Sequence, residues 1–341
     1  MVLPTPLQMM GAPGSPYSRK MRSLLRYRRI PYLFILQNSD EAAKLPQAKV
    51  PLLPTFVLPG ADGVVPVTDS TPLIRRFEQA FEGRSVIPTD PALAFVDELL
   101  EDYADEWLTK CMFHYRWYHE ADATKARRVL PHWAMTTVSD EQIAPIQQRV
   151  GDRQIGRLGV VGSNDVTAEV IEESYLRFLA AFDAQLQKSR FFFGRRPASS
   201  DFAVMGQLTC LALFDPTPCA LTADRAPRVY AWTEALEDLS GIDVGDEDWA
   251  NADTVPDTLR GLLGEVGHFH APFLLANADA LERGAAQVET EIAGRPWVQK
   301  PFPYQGKCLA WLRESHAKLD PAARATVDGL LEGTGCEALF R

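Results

Sequence analysis

At 341 residues the chain is long enough for about two domains, at the usual ~150 residues each. Its 46% hydrophobic and 23% charged residues are ordinary for a folded globular protein with a sizeable core. A net charge of −10 argues against a nucleic-acid partner, which needs a basic stripe to bind phosphates.

The five cysteines, Cys111, Cys210, Cys219, Cys308 and Cys336, are odd in number, irregularly spaced and free of any C-x-x-C pair. A disulfide framework is therefore not expected, and a reducing cytoplasm is the simplest compartment. The segment Met1-Val2-Leu3-Pro4-Thr5-Pro6 lacks the basic region and apolar core of a signal peptide. No apolar run approaches the ~20 residues of a membrane span, so no membrane partner is expected. There is no internal repeat.

Leu7 to Met10 reads as a strand ended by Gly11-Ala12-Pro13-Gly14. Ser15-Pro16 starts a helix, Ser as N-cap and Pro at the first helical position, running to about Arg28 with Met21, Leu24 and Leu25 on one side. Tyr32 to Leu36 is a second strand, and Asp40 to Leu45 a short helix. Thr55 to Leu58 and Val64 to Val67 form a hairpin around Pro59-Gly60-Ala61-Asp62-Gly63, with Pro66 marking an edge strand. Asp69-Ser70-Thr71-Pro72 starts another helix, to about Phe81. The order β-α-β-α, hairpin, α predicts a mixed sheet with helices packed on it.

From Pro91 strand signals nearly vanish. Helical patterns cover Pro91 to about His119, Glu141–Gln148, Ala168–Lys188, Ser199–Phe214 and Pro227–Leu239. Ser240 to Pro256 reads as an acidic loop, followed by helices at Asp257–Gly264, Ala271–Ala293, Lys307–Lys318 and Pro321–Leu331.

Strand, then Gly14-Ser15-Pro16-Tyr17-Ser18, then helix resembles a thioredoxin-like active-site turn with serine at both cysteine positions. Thiol–disulfide exchange at that turn is thereby excluded. Together with Leu53-Pro54 before a hairpin and Asp69-Ser70 before the next helix, the turn makes the chain resemble the glutathione transferase superfamily over about residues 5–83. Phe193 to Asp201 resembles a helix-start motif of the family's second domain. The family usually has Ser or Thr at the position of Ala198, so Ser199 is expected to cap or the start to shift. The implied fold is an α/β thioredoxin-like N-terminal domain over residues 1–85 and an all-α C-terminal domain over 86–245. Residues 246–341, beyond the family's common length, are expected as a helical extension packed on the α domain.

The resemblance implies glutathione as co-substrate, with Ser15 as the residue that activates its thiol. The chemistry is consistent: a hydroxyl donor and a helix N-terminus both favour thiolate, each by on the order of 1 kcal/mol. The alternative role of Ser15 is to cap the helix. Tyr17 and Ser18 are weaker candidates. Pro54 is favoured over Pro51 as a cis proline that lets Leu53 pair with the cysteinyl part of glutathione like an added strand. Lys49 is a candidate partner for the glycine carboxylate. Asp69-Ser70 resembles the pair that holds the γ-glutamyl zwitterion, carboxylate to ammonium and hydroxyl to carboxylate.

A second-substrate pocket is placed on the aromatic segment Lys110 to His119, with His114, Tyr115, Trp117 and Tyr118 as candidates; for each, core packing is the rival reading. Glu98, Glu101, Asp102, Asp105 and Glu106 read as a solvated or Arg-paired face. His268-Phe269-His270 is too small a set for zinc. No metal site is assigned. The Pro-rich segment Trp297 to Tyr304 is expected to pack the extension, with cover of the pocket mouth as the alternative, and Cys308 to be a buried small hydrophobe.

The enzyme reading is a glutathione-dependent transferase or lyase acting on a small hydrophobic electrophile. The other reading is a non-catalytic binding or interaction module of the same fold. A homodimer is implied by the family alone.

Overall fold

The computed structural model describes residues 3–61 and 63–341. Met1 and Val2 of the N-terminal segment and Asp62 of the hairpin turn lie outside the described residues. The first region holds β1 (Leu7–Gly11), α1 (Pro16–Tyr27), β2 (Tyr32–Leu36), a 3-10 turn at Ala42–Lys44, β3 (Thr55–Gly60), β4 (Gly63–Val67) and α2 (Ser70–Ala80). The sheet order is β2-β1-β3-β4, with β1 parallel to β2 and antiparallel to β3. Pro66 sits on the edge strand, where a missing N–H costs no ladder bond.

Helices follow: α3 (Pro91–Tyr103), α4 (Thr109–Tyr118), α5 (Glu120–His132), α6 (Asp140–Ile155), α7 (Ala168–Leu186), α8 (Ser199–Leu211), α9 (Pro216–Arg225) and α10 (Pro227–Ala235). A π-helical turn at Ala104–Leu108 joins α3 to α4, so the expected long helix is one rod with a bulge. After the acidic loop come α11 (Asp257–Glu265), a second π turn at Val266–His270, and α12 (Ala271–Glu282).

The expectation of helices alone after Pro91 needs correction. The helix expected over Ala271–Ala293 ends at Glu282, and β5 (Val288–Ile292) and β6 (Arg295–Gln299) form a hairpin. Val288-Glu-Thr-Glu-Ile292 alternates apolar and polar, which is strand periodicity. The two-residue turn Ala293-Gly294 has positive φ at both positions, 53° and 72°, which matches the twist of a tight hairpin. The chain ends in α13 (Pro303–Lys318) and α14 (Pro321–Leu331).

One cluster of buried apolar side chains reaches from Leu3 to Leu339 and joins the sheet region to the last turn of the chain. Within it Met21, Leu24 and Leu25 of α1 are fully buried, each contributing about 1.5–3 kcal/mol of apolar transfer. The face of α1 packs on α8, where a Cβ at Gly206 would lie 2.6 Å from Pro16 O. Glycine thus lets the two backbones meet and fixes the N-terminus of α1 against the helical region. The tail helices α11, α13 and α14 pack on α7 and α3. No helix among the described residues is long and apolar enough to cross a membrane.

Candidate active site

Ser15 has the extended backbone of an N-cap, and its Oγ accepts from the Ser18 amide at 3.2 Å. Its side chain is half-buried. The hydroxyl is therefore used as an acceptor, and its own proton remains to be donated. The turn before it is held from the helical region. Arg116 of α4 donates to Gly14 O at 2.9 Å while its Nε lies 3.0 Å from both oxygens of Asp215. Leu130 and Trp133 close over Gly14, where a Cβ would sit 2.2 Å from the indole.

Leu53–Pro54 is the cis bond of this region, and Pro51 is not cis; Thr5–Pro6 is cis as well. Leu53 is half-buried and leads into β3 at Thr55, whose hydroxyl donates to Leu52 O at 2.7 Å. Lys49 is exposed on the loop before it.

Asp69 adopts φ 80°, in the left-handed half of the map, which L residues rarely adopt. Its Oδ2 accepts from the Tyr304 hydroxyl at 2.8 Å. Burial raises the Asp69 carboxyl above its ordinary value. Ser70 is buried and accepts from Lys20 Nζ at 3.3 Å. Like Ser15, it takes a bond from inside the fold and keeps its own proton.

Behind Ser70 lies a buried ionic network. Lys20 Nζ sits 2.7 Å from Glu101 Oε1 and 2.6 Å from Asp105 Oδ2. Thr71 Oγ1 and Arg75 Nη2 also donate to Glu101, at 3.0 and 3.1 Å. Burial alone would raise the Glu101 carboxyl, but Lys20 and Arg75 hold it down to about 2. Asp105 is pushed up to about 6 by burial, against the pull of Lys20. Asp97 is likewise pushed up to about 6 by burial. It caps α8 from outside, accepting from the Ser200 amide at 2.9 Å with the Ser199 hydroxyl at 2.7 Å.

Ser199 is thus not the cap of its own helix. Ala198 takes that place, its amide donating to Asp201 at 2.8 Å. The acidic side of α3 is also not solvated. Glu101, Asp105 and Glu106 are buried, Asp102 lies 2.8 Å from His270 Nε2, and Glu98 accepts from Ser315 at 3.0 Å.

Tyr17 points into the seam between the two regions. Its hydroxyl donates to Asp105 O at 2.7 Å, so it is used inside the fold. In the aromatic segment of α4, His114, Tyr115 and Trp117 are buried and Tyr118 is exposed. His114 stacks on Tyr118 at 4.6 Å and Tyr115 on His119 at 5.4 Å, whereas Trp117 joins a separate small cluster with Ala123 and Ala126. Lys110 is buried 4.0 Å over the Phe273 ring and is pushed down to about 7 by burial. Cys308 is buried and its thiol is pushed up by burial. A cavity of about 250 Å³ lies among Val160, Asn164, Val298, Gln299 and Lys300, remote from Ser15 and Asp69. Its lining contains no group suited to thiol chemistry.

The structure ties Ser70 to α1 through Lys20 and Asp69 to α13 through Tyr304. Sequence reasoning singled out no role for Lys20, and it placed Tyr304 only in a segment expected to pack the extension or cover the pocket mouth, without its partner 235 positions earlier.

Residues 9–85 match the family model described as "Glutathione S-transferase, N-terminal domain". No curated protein matches the sequence. Among solved structures, a glutathione S-transferase of Methylobacterium radiotolerans in complex with glutathione sulfonate is 19% identical. It covers 74% of this chain and 98% of its own, with a TM-score of 0.43. A Tau class glutathione S-transferase from mango, Mangifera indica, is 17% identical over 75% of this chain and 95% of its own, with a TM-score of 0.41. The beta-etherase LigF of Sphingobium sp. is 17% identical over 69% and 95%, also with a TM-score of 0.41. Over residues 9–85 the chain thus carries a domain similar to the N-terminal domain of glutathione S-transferases.

Proposed function

We propose that the chain binds glutathione across Ser15, Leu53 and Asp69-Ser70 and joins its thiolate to a small hydrophobic electrophile, by transfer or by cleavage of an ether. The observation that carries this reading is the hydrogen-bond state of Ser15. Its oxygen already accepts from the Ser18 amide at the start of α1, which leaves its proton free to donate near the positive end of a helix. A sulfur placed there gains a donor and a favourable dipole, and both stabilise the thiolate that does the chemistry. Ser70 repeats the arrangement with Lys20 as the internal donor, which suits the carboxylate of a γ-glutamyl group. The thiolate attacks the electrophilic carbon, the carbon–leaving-group bond breaks, and the leaving group departs with the electron pair. Lys49 is the candidate partner of the glycine carboxylate, and the exposed Tyr118 with the aromatic segment around it the candidate wall for the second substrate.

The reading is tested by titration calorimetry with glutathione, then turnover with halides, aryl ethers, epoxides and activated alkenes. Binding together with turnover of at least one class, lost in Ser15→Ala, is the expected result. Binding without turnover of any class overturns the enzymatic part.

One observation favours the second reading, a non-catalytic module. Tyr304 already donates to the carboxylate that the γ-glutamyl ammonium would use. Absence of glutathione binding by the wild type and its appearance in Tyr304→Phe would establish that reading.

A further inference from the structure

Away from Ser15 and Asp69, two imidazoles and one carboxylate converge without a cation among them. His114 lies in α4, His119 ends that helix, and Glu172 projects from α7. His114 Nε2 is 3.3 Å from Glu172 Oε1, and His119 Nε2 is 3.1 Å from the same oxygen. One ligand atom from each of the three residues falls within 4.8 Å of the other two.

These separations have a chemical meaning. Zinc bonds to imidazole nitrogen and carboxylate oxygen are about 2.0–2.2 Å long, so two ligands on a tetrahedral ion sit about 3.3–3.5 Å apart. The observed 3.1 and 3.3 Å are close to that edge. Direct bonding explains the cluster less well. One carboxylate oxygen serves two rings, and the buried His119 Nε2 has no hydrogen-bond partner of acceptable geometry among the described residues. His114 Nε2 hydrogen-bonds that oxygen, and His119 Nε2 lies beside it without a bond.

The surroundings are those of a built site. His114 is fully buried, and its other nitrogen, Nδ1, is 2.7 Å from Ser163 Oγ. That contact fixes the ring and its tautomer, as outer partners of ligating histidines do. Tyr118 stacks on His114 and Tyr115 on His119, which restrains both rings. The Glu172 side chain is 37% exposed, so a cation there is reached from solvent and keeps one position for water. Three protein ligands with one open position is the pattern of zinc sites that retain a water.

We propose that His114, His119 and Glu172 form a binding site for one divalent zinc ion. His114 and His119 contribute Nε2, Glu172 contributes a carboxylate oxygen, and solvent completes the tetrahedron. Imidazole and carboxylate donors suit zinc and neighbouring late first-row cations and disfavour calcium and magnesium, which take oxygen ligands.

The test uses the full chain, stripped with a chelator and titrated with zinc chloride by calorimetry, and with cobalt(II) chloride by visible absorption. The expected result is one equivalent of zinc and an intense tetrahedral cobalt spectrum displaced by zinc. His119→Ala and Glu172→Gln should abolish both signals, while Ser163→Ala should weaken zinc by about 10–100-fold. His119 and Glu172 are partly exposed, so these variants leave the core intact, and a far-ultraviolet circular dichroism spectrum checks it. Failure of the wild type to take up zinc overturns the proposal. So does uptake of one equivalent, with the same cobalt spectrum, by both the His119 and the Glu172 variant.

Discussion

The chemistry at the start of α1 reduces to where one proton points. If the Ser15 hydroxyl donates to sulfur, Ser15→Ala should raise the pKa of bound glutathione by about one pH unit, a tenfold loss of thiolate near neutral pH. Titration of thiolate absorbance in the complex measures this, and an unchanged pKa would leave Ser15 only its cap. The same substitution should cost about 1 kcal/mol of stability through the lost N-cap. Tyr304 acts on the other end of the ligand. If the γ-glutamyl ammonium binds Asp69 as proposed, the hydroxyl competes with it, so Tyr304→Phe should tighten glutathione by about 2–10-fold, the size of one net hydrogen bond. Calorimetry decides it, and weaker binding would mean that Tyr304 positions Asp69 for the ligand. Ser15, Pro54, Asp69 and Ser70 could be found from sequence because each sits at a helix start or beside a turn, where local residue chemistry marks the place. The partners of Lys20 and Tyr304 could not, since they lie 81 and 235 positions away.

Helix starts were more readable than helix partners. Ser15, Asp90 and Ser139 cap their helices with their own side chains, so the sequence carries the signal. For α8 the capping carboxylate belongs to Asp97 on α3, and a local reading necessarily chose Ser199. The acidic side of α3 read as solvated or Arg-paired; Arg75 does pair with Glu101, but Lys20, His270 and Ser315 come from three further segments that a local reading does not connect. The hairpin β5–β6 was hidden by the apolar periodicity of the helix before it, although Ala293-Gly294 is a turn signal. Asp97 gives this element a measurable pH dependence. An aspartate titrates near 3.8 when unfolded and at about 6 here, raised by burial. Between those values the native state holds more protons than the unfolded chain, so this contribution to stability falls as pH rises, by about 3 kcal/mol in all. Glu101 works in the opposite sense: held down to about 2, it stabilises above its ordinary 4.5 and loses that contribution as pH falls toward 2. Denaturant midpoints of Asp97→Asn and wild type, compared from pH 4 to 6, should separate in the variant's favour as pH rises. A constant difference would show that Asp97 does not take up a proton on folding.

At the scale of the whole molecule, the sequence divides the chain at about residues 85 and 245, yet the apolar core does not stop at either point. It includes Leu3, Phe56, Leu99, Leu208, Leu263 and Leu339 in one cluster. Charged and polar ties follow the same route: Arg84 bonds to Leu239 and Ile242, and Tyr304 to Asp69. A chain so connected should unfold as one unit, giving a single calorimetric transition with matching calorimetric and van't Hoff enthalpies. Two resolved transitions would show that the first sheet or the tail folds on its own. The bond between Tyr304 and Asp69 also sets an order of events during synthesis. Asp69 is made long before Tyr304, so its carboxylate gains this partner only after the last part of the chain has been translated. In the finished protein a small molecule with an ammonium group shares that carboxylate with a tyrosine supplied by the far end of the chain.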